Sequence, residues 1–244
     1  MVSVLVVTLM HKPNLLALRS LYEMDTSGVQ VDYFQPGAGY PDDGDGGRTN
    51  IVAKHNEARS VVLGQGYDYM LSVEDDMVIP PDALHRLLAV CEGGADVAYG
   101  LYVFRRPPFS WSATLALDPE QMVGYPLSSH KPTMVRDWGR VVDVDGVGFG
   151  CTLIARRVLE HLRFRVDWSR PHPGGEWSHD DWYFALDCVA AGFVQRCDLG
   201  CVCGHIHPTS EEGRFSPGVI MPVLPGEEGG RHFVMVPFPE ATGQ

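Results

Sequence analysis

Between Val2 and Phe104, short apolar runs rich in β-branched residues alternate with segments whose apolar residues recur at helical spacing. Val2 to Met10 reads as a strand, and NLLALRSLYEM, after Pro13, as a helix. Val29 to Phe34 reads as a second strand, followed by the loop GAGYPDDGDGG, a helix from Asn50 to Gly64, and the strand YDYMLSV. PPDALHRLLAVCE is a further helix and ADVAYGLYVF a further strand. Such alternation predicts an α/β layer on a mainly parallel sheet, which binds ligands at the carboxyl ends of its strands. VEDDMVIPPDAL stands at such an end, with Glu74, Asp75 and Asp76 directly after YDYMLSV.

Three adjacent carboxylates repel one another, so water or a cation must make the cluster tolerable. Acids also favour helix N-termini, and Pro80 and Pro81 open a helix here. The acids precede that helix by several residues, however, and close a strand expected to be buried. An acid-x-acid pair in that place suits a hard divalent cation that also takes diphosphate oxygens.

After Phe104 the alternation weakens through a stretch containing Pro, Ser and Trp. VVDVDGVGFGCTLIARRVLEHL restores it with a strand, a Gly-x-Gly turn and a helix, and PHPGGEWSHDDWYFALDCVAAGF is a loop feeding another helix. Asp180 and Asp181 begin that helix, where acids can act as caps. Trp182, Phe184 and Val189 are expected on its packed face, and Trp182 and Trp177 offer a surface on which a sugar could stack. No repeat or separating linker is found. The expectation is one domain over 1–244, with halves 1–104 and 105–207 and a Pro/Gly-rich tail, 208–244, as a candidate lid. At 244 residues and 45% hydrophobic content the chain can bury one substantial core.

The net charge of -12 argues against broad nucleic-acid or anionic-membrane binding. From Arg105 to Arg170, though, 10 Lys and Arg stand against 7 Asp and Glu, +3 locally against -15 elsewhere. That stretch is the candidate face for a phosphate-bearing acceptor such as a nucleotide or nucleic acid. The apolar opening is short and lacks both a basic lead and a cleavage site, and no run reaches the roughly 20 residues of a membrane helix. These features predict a cytoplasmic protein without a membrane span, whose six cysteines are reduced thiols.

Five pieces in order resemble the GT-A glycosyltransferases, close to glycosyltransferase family 2. AKHNEAR with LGQGYDYMLSVEDD resembles the family's Arg-Asn helix leading to its metal strand, and VEDDMVIPPDAL its acid-x-acid (DXD) motif. VDGVGFGCTLIARRVLE, HDDWYFALDCVAAGF and CVCGHIHP are similar to its acceptor-side Gly-x-Gly strand and helix, its Glu-Asp helix and its late His segment. The resemblance implies a GT-A-like (Rossmann-like) three-layer α/β sandwich that moves a sugar from a nucleotide diphosphate sugar to a hydroxyl acceptor, with Mn or Mg and with inversion. It implies metal binding by Asp76 and His205, donor contacts by Thr8, His55, Asn56, Glu74 and Asp75, and catalysis by Asp181 beside Asp180. His55 stands where the family more often has Arg, and Asp180 where it more often has Glu.

In CVCGHIHP, residues Cys201, Cys203, His205 and His207 alternate, so an extended strand points all four to one face. Their spacing of about 6.6 Å strings them over roughly 20 Å, too far to surround one zinc ion. A single histidine meeting Asp76 is easier to build, and His207 remains a second candidate. Two other readings stay open: a nucleotidyltransferase of related fold, which lacks a Gly-rich loop with a following Lys near the first strand, and a non-catalytic zinc-stabilised binding module.

Overall fold

The computed structural model describes residues 1–10, 14–37, 48–105, 109–118, 120, 123–127, 140–146, 148–167, 180–207, 218–223 and 233–237. The loop 38–47, Trp177 and most of the tail lie outside them.

The first strand, β1 (Ser3–Val7), is followed by α1 (Leu15–Tyr22). Asn14 caps α1 by accepting a hydrogen bond from the Leu16 amide at 2.9 Å, which satisfies one otherwise orphaned donor. β2 (Gln30–Phe34) and α2 (Arg48–Gln65) come next. Gly66, at φ +83°, ends α2 in a left-handed conformation that a side chain would resist. The chain then forms β3 (Tyr69–Val73), the short β4 (Met77–Val78), α3 (Ala83–Glu92) and β5 (Val97–Leu101). These elements match the expected alternation.

The weakly patterned middle holds a hairpin, β6 (Thr114–Asp118) with β7 (Val123–Pro126), and then β8 (Val141–Asp143). After the glycines comes β9 (Cys151–Ala155), a strand where the sequence pattern continued into a helix; α4 (Arg156–His161) begins only afterwards. Every residue of β9 is buried, and a short run buried on both faces carries no period to separate strand from helix. α5 (Asp180–Ala191), β10 (Gln195–Val202) and β11 (Gly204–His207) follow. The tail adds β12 (Gly218–Pro222) and β13 (Phe233–Pro237), which pair with each other. The tail segment proposed as a lid therefore supplies strands, and β12 pairs with β11, which carries His205.

The main sheet has seven strands in the order β2-β1-β3-β9-β5-β10-β8. β1 pairs in parallel with β2 and β3, and β5 with β10, whereas β9 runs antiparallel to both β3 and β5 and β8 antiparallel to β10. The sheet is thus mixed: five strands point one way, and β9 and β8 oppose them. Consecutive residues of β1, β3, β5 and β9 are buried although their side chains alternate between faces, so both faces of the sheet are covered. One core cluster runs from Val4 through Leu71, Tyr99 and Leu153 to Ile220, joining residues from both expected halves. Among the described residues no helix is long and apolar enough to cross a membrane.

Candidate functional site

The acidic triplet forms the turn between β3 and β4, closed by a hydrogen bond from the Met77 amide to the Glu74 carbonyl at 3.1 Å. The Glu74 amide donates to the Gly150 carbonyl at 3.2 Å, tying the turn to the start of β9. β4 pairs antiparallel with β11 in the register His205↔Met77, and the Ile206 amide donates to the Asp76 carbonyl at 2.8 Å. This short ladder delivers His205 to Asp76. Gly204 is required beside it, because an added Cβ would press on Val219 and lie 2.7 Å from Met221 Sδ.

His205 is buried, and its Nδ1 lies 2.8 Å from the Val103 carbonyl oxygen. A carbonyl only accepts, so Nδ1 carries a proton, and Nε2 is the nitrogen left to donate or to accept. Nε2 faces Asp76 Oδ2 at 3.5 Å. Neither His205 Nε2 nor Asp76 Oδ1 has a hydrogen-bond partner among the described residues, although both atoms are buried. A proton on Nε2 or a metal ion could bridge the two groups. An imidazole nitrogen with carboxylate oxygens could hold a divalent first-row metal ion. Arg105, just beyond β5, places Nη1 2.8 Å from Asp76 Oδ2 and supplies positive charge to the same carboxylate. Burial alone would raise the Asp76 carboxyl, but His205 and Arg105 outweigh it and hold it below its ordinary value.

Glu74 behaves oppositely. Burial pushes its carboxyl well above the usual range, Asp76, Asp181 and Asp180 push it the same way, and Arg105 opposes them. The two acids that open α5 thus act on the turn after β3, although more than a hundred residues of chain separate them. Asp180 Oδ2 lies 2.6 Å from Nδ1 of the buried His55 in α2. His55 stacks on Phe164 at 4.7 Å and meets the edge of Phe149 at 4.9 Å, so its ring is fixed. Asp181 accepts from the Trp182 amide at 2.7 Å. Its Oδ2 would lie 3.0 Å from a Cβ placed on Gly148, and that Cβ would also collide with the Tyr102 hydroxyl. The glycines of GVGFG therefore let α5 and Tyr102 approach the backbone. Burial keeps the Tyr102 phenol neutral, and Glu74 and Asp181 reinforce this.

The remaining assignments fare differently. Asn56 donates to the Val52 and Phe164 carbonyls at 3.0 and 2.8 Å and accepts from the Phe164 amide at 3.2 Å. Its amide thus ties α2 to the segment after α4. Thr8 is buried just after β1, where its amide bonds the Phe34 carbonyl at 3.3 Å, and Asp75 occupies the middle of the acidic turn. Trp182 packs its ring over Gly124 of β7. His207 lies at the far end of β11, in register with Gly218. Among the six described basic residues of the middle stretch, five are paired with acids: Arg105 with Asp76, Arg140 with Asp198, Arg156 with Glu160, Arg157 with Asp96, and Arg165 with Asp187. Arg106, Lys131, Arg136 and Arg170 lie outside the described residues. Tyr102 was missed in the sequence because LYVF read simply as strand, and Arg105 was read only as the start of the basic stretch; the rule favouring strand carboxyl ends applies to both.

These observations define a mixed α/β protein with an acidic, histidine-containing site at the carboxyl ends of β3 and β5. No family model matches the chain, and no curated protein matches it. Among solved structures the fold is similar to that of A197 from STIV, with a TM-score of 0.50 and 15% sequence identity over 84% of this chain and 85% of that one. At that identity the likeness concerns the fold.

Proposed function

We propose that the chain is a GT-A-type glycosyltransferase that moves a sugar from a nucleotide diphosphate sugar to a hydroxyl acceptor with the help of Mn2+ or Mg2+. The observation that carries this reading is the meeting of Glu74 and Asp76 after β3, Asp180 and Asp181 at the start of α5, and His205 on β11. Binding one sugar needs few charges, whereas four clustered carboxylates with two buried, unpartnered polar atoms suit a cation-bridged diphosphate.

In this reading Asp76 and His205 hold the cation, with Glu74 facing the donor. Bound there, the ion would neutralise the charge that grows on the departing diphosphate. Asp181 takes the proton of the acceptor hydroxyl as that oxygen bonds to the anomeric carbon. The bond from that carbon to the diphosphate oxygen breaks on the opposite face, which inverts the configuration. His55 fixes Asp180 at 2.6 Å and thereby orients the first turn of α5. The Tyr102 hydroxyl, neutral and close to Gly148, can donate a hydrogen bond without adding negative charge. The test is to incubate the protein with a panel of nucleotide sugars and Mn2+ and measure release of nucleoside diphosphate. Release that stops with chelator and in the Asp76→Asn variant supports the proposal. Undiminished release in either case, or none from any donor, refutes it.

A further inference from the structure

Cys151, Cys201 and Cys203 gather in the core, fully buried, with their sulfur atoms all within 4.8 Å of one another. Cys151 opens β9 and Cys201 is the penultimate residue of β10, and these strands are not neighbours: β5 runs between them. At the crossing β5 carries Gly100. A Cβ there would lie 2.9 Å from Cys203 Sγ and 3.3 Å from Cys151 Cβ, so the missing side chain makes the room into which the sulfurs project. The ladder between β10 and β5 is also irregular between Asp198 and Val202, and the Cys203 amide bonds the Leu101 carbonyl at 2.8 Å. On a regular strand residues two apart are separated by about 6.6 Å. The sulfurs of Cys201 and Cys203 lie closer than that, within 4.8 Å.

We infer that these three cysteines form a metal site for a thiophilic closed-shell ion, Cu(I) or Zn(II). Three sulfurs each about 2.3 Å from one ion lie about 4.0 Å apart, within the 4.8 Å bound the triad already meets. Thiolates select such soft ions over Mg2+, Mn2+ or Ca2+, so the site is chemically distinct from the oxygen and nitrogen donors of Asp76 and His205. The ligand set also differs from the alternating Cys-x-Cys-x-His-x-His row: the third ligand comes from β9, and His205 instead meets Val103 and Asp76. Binding forms three metal–sulfur bonds and releases the thiol protons to solvent. Three donors alone suit Cu(I), whereas charge balance favours Zn(II), whose complex with three thiolates keeps a single negative charge.

The consequence is a clamp behind the carboxylate site. Cys151 is in register with Val73, next to Glu74, and Cys203 precedes Gly204 and His205. An ion on the triad would fix β9 and β10 across β5 and so set the distance between the acidic turn and the histidine strand.

The test is to express the full chain in medium supplemented with copper or zinc, dialyse it against chelator, and measure metal content by mass spectrometry. The bound ion is then replaced by cadmium to read the thiolate-to-metal absorption band. The expected result is about one retained ion per chain and a thiolate band, both kept by Cys188→Ala and by Asp76→Asn and both lost in Cys203→Ala. Retention in Asp76→Asn separates this site from the proposed catalytic one. Which supplement loads the protein identifies the ion. If Cys203→Ala fails to fold, the wild type decides: a chain that retains neither metal and shows no thiolate band overturns the inference, as does a band that survives Cys203→Ala.

Discussion

His205 Nε2 faces Asp76 Oδ2 at 3.5 Å while the opposite ring nitrogen, Nδ1, is bound to the Val103 carbonyl at 2.8 Å. The backbone thus fixes which nitrogen is free, and the free one points at a carboxylate. His205→Ala should lower Mn2+ affinity by more than the roughly 10- to 100-fold that loss of an outer-shell partner causes, because a direct ligand is removed. Arg105→Ala should do the reverse, since its guanidinium competes for the same Asp76 oxygen at 2.8 Å. Mn2+ should bind Arg105→Ala more tightly by calorimetry, at a stability loss of about 1 kcal/mol, because the Arg105 side chain is 44% exposed and the pair is partly screened. Equal Mn2+ affinity in all three proteins would mean that the ion binds elsewhere.

The crowded carboxylates should destabilise the metal-free fold. The Glu74 carboxyl is raised by burial and by its acidic neighbours, so the folded chain holds that proton more tightly than the unfolded chain does. Its contribution is most favourable below about pH 4.3, the ordinary Glu value, and is lost as pH rises through the raised value. Asp76, held low, contributes oppositely and loses its share as pH falls. Glu74→Gln should therefore raise Tm in chelator at neutral pH, by about 2–4 °C for each kcal/mol of repulsion removed, and the gain should shrink toward pH 4. A drop in Tm at neutral pH would show that Glu74 is stabilised by contacts outweighing its burial.

Asp181→Asn should reduce turnover by about 100-fold or more and leave donor affinity nearly unchanged, because proton abstraction contributes roughly that factor. NMR of the product should show an inverted anomeric centre. Retained configuration, or near-normal turnover in the variant, would remove Asp181 from the role of base.

Two glycines should respond in opposite directions. At Gly148 an added methyl meets the Tyr102 hydroxyl and comes within 3.0 Å of Asp181 Oδ2, so Gly148→Ala should cost about 1–3 kcal/mol and lower turnover as well. At Gly64 nothing lies within 4 Å and the residue is helical, so Gly64→Ala should stabilise by up to about 1 kcal/mol without touching activity. Urea denaturation of both variants checks the pair.

Local pattern was enough to find β1, β2, β3, α1, α2, α3 and β5, because each carries a clear period or a run bounded by Gly or Pro. It was not enough for β9, whose five residues are buried on both faces, and so it missed one of the two antiparallel strands that make the sheet mixed. The acidic turn and the helix of Asp180 and Asp181 were legible as chemistry. Their proximity was not, since it depends on long-range packing through His55 and Gly148. Asn56 shows the converse: its position in α2 was foreseen, but its amide bonds the Phe164 backbone, a partner 108 residues away that no local window contains. The cysteine row misled for a related reason, because the break between β10 and β11 ends the regular strand on which the alternation argument rested.

The central claim is that Asp76 and His205 hold a cation that in turn holds a nucleotide diphosphate sugar. Calorimetric titration of donor sugars into the wild type and into Asp76→Asn, each with and without Mn2+, tests it most directly. The account predicts saturable binding of at least one nucleotide sugar by the wild type with Mn2+, lost on adding chelator and absent from Asp76→Asn under all conditions. Binding of the same strength without metal, or in Asp76→Asn with metal, would contradict it.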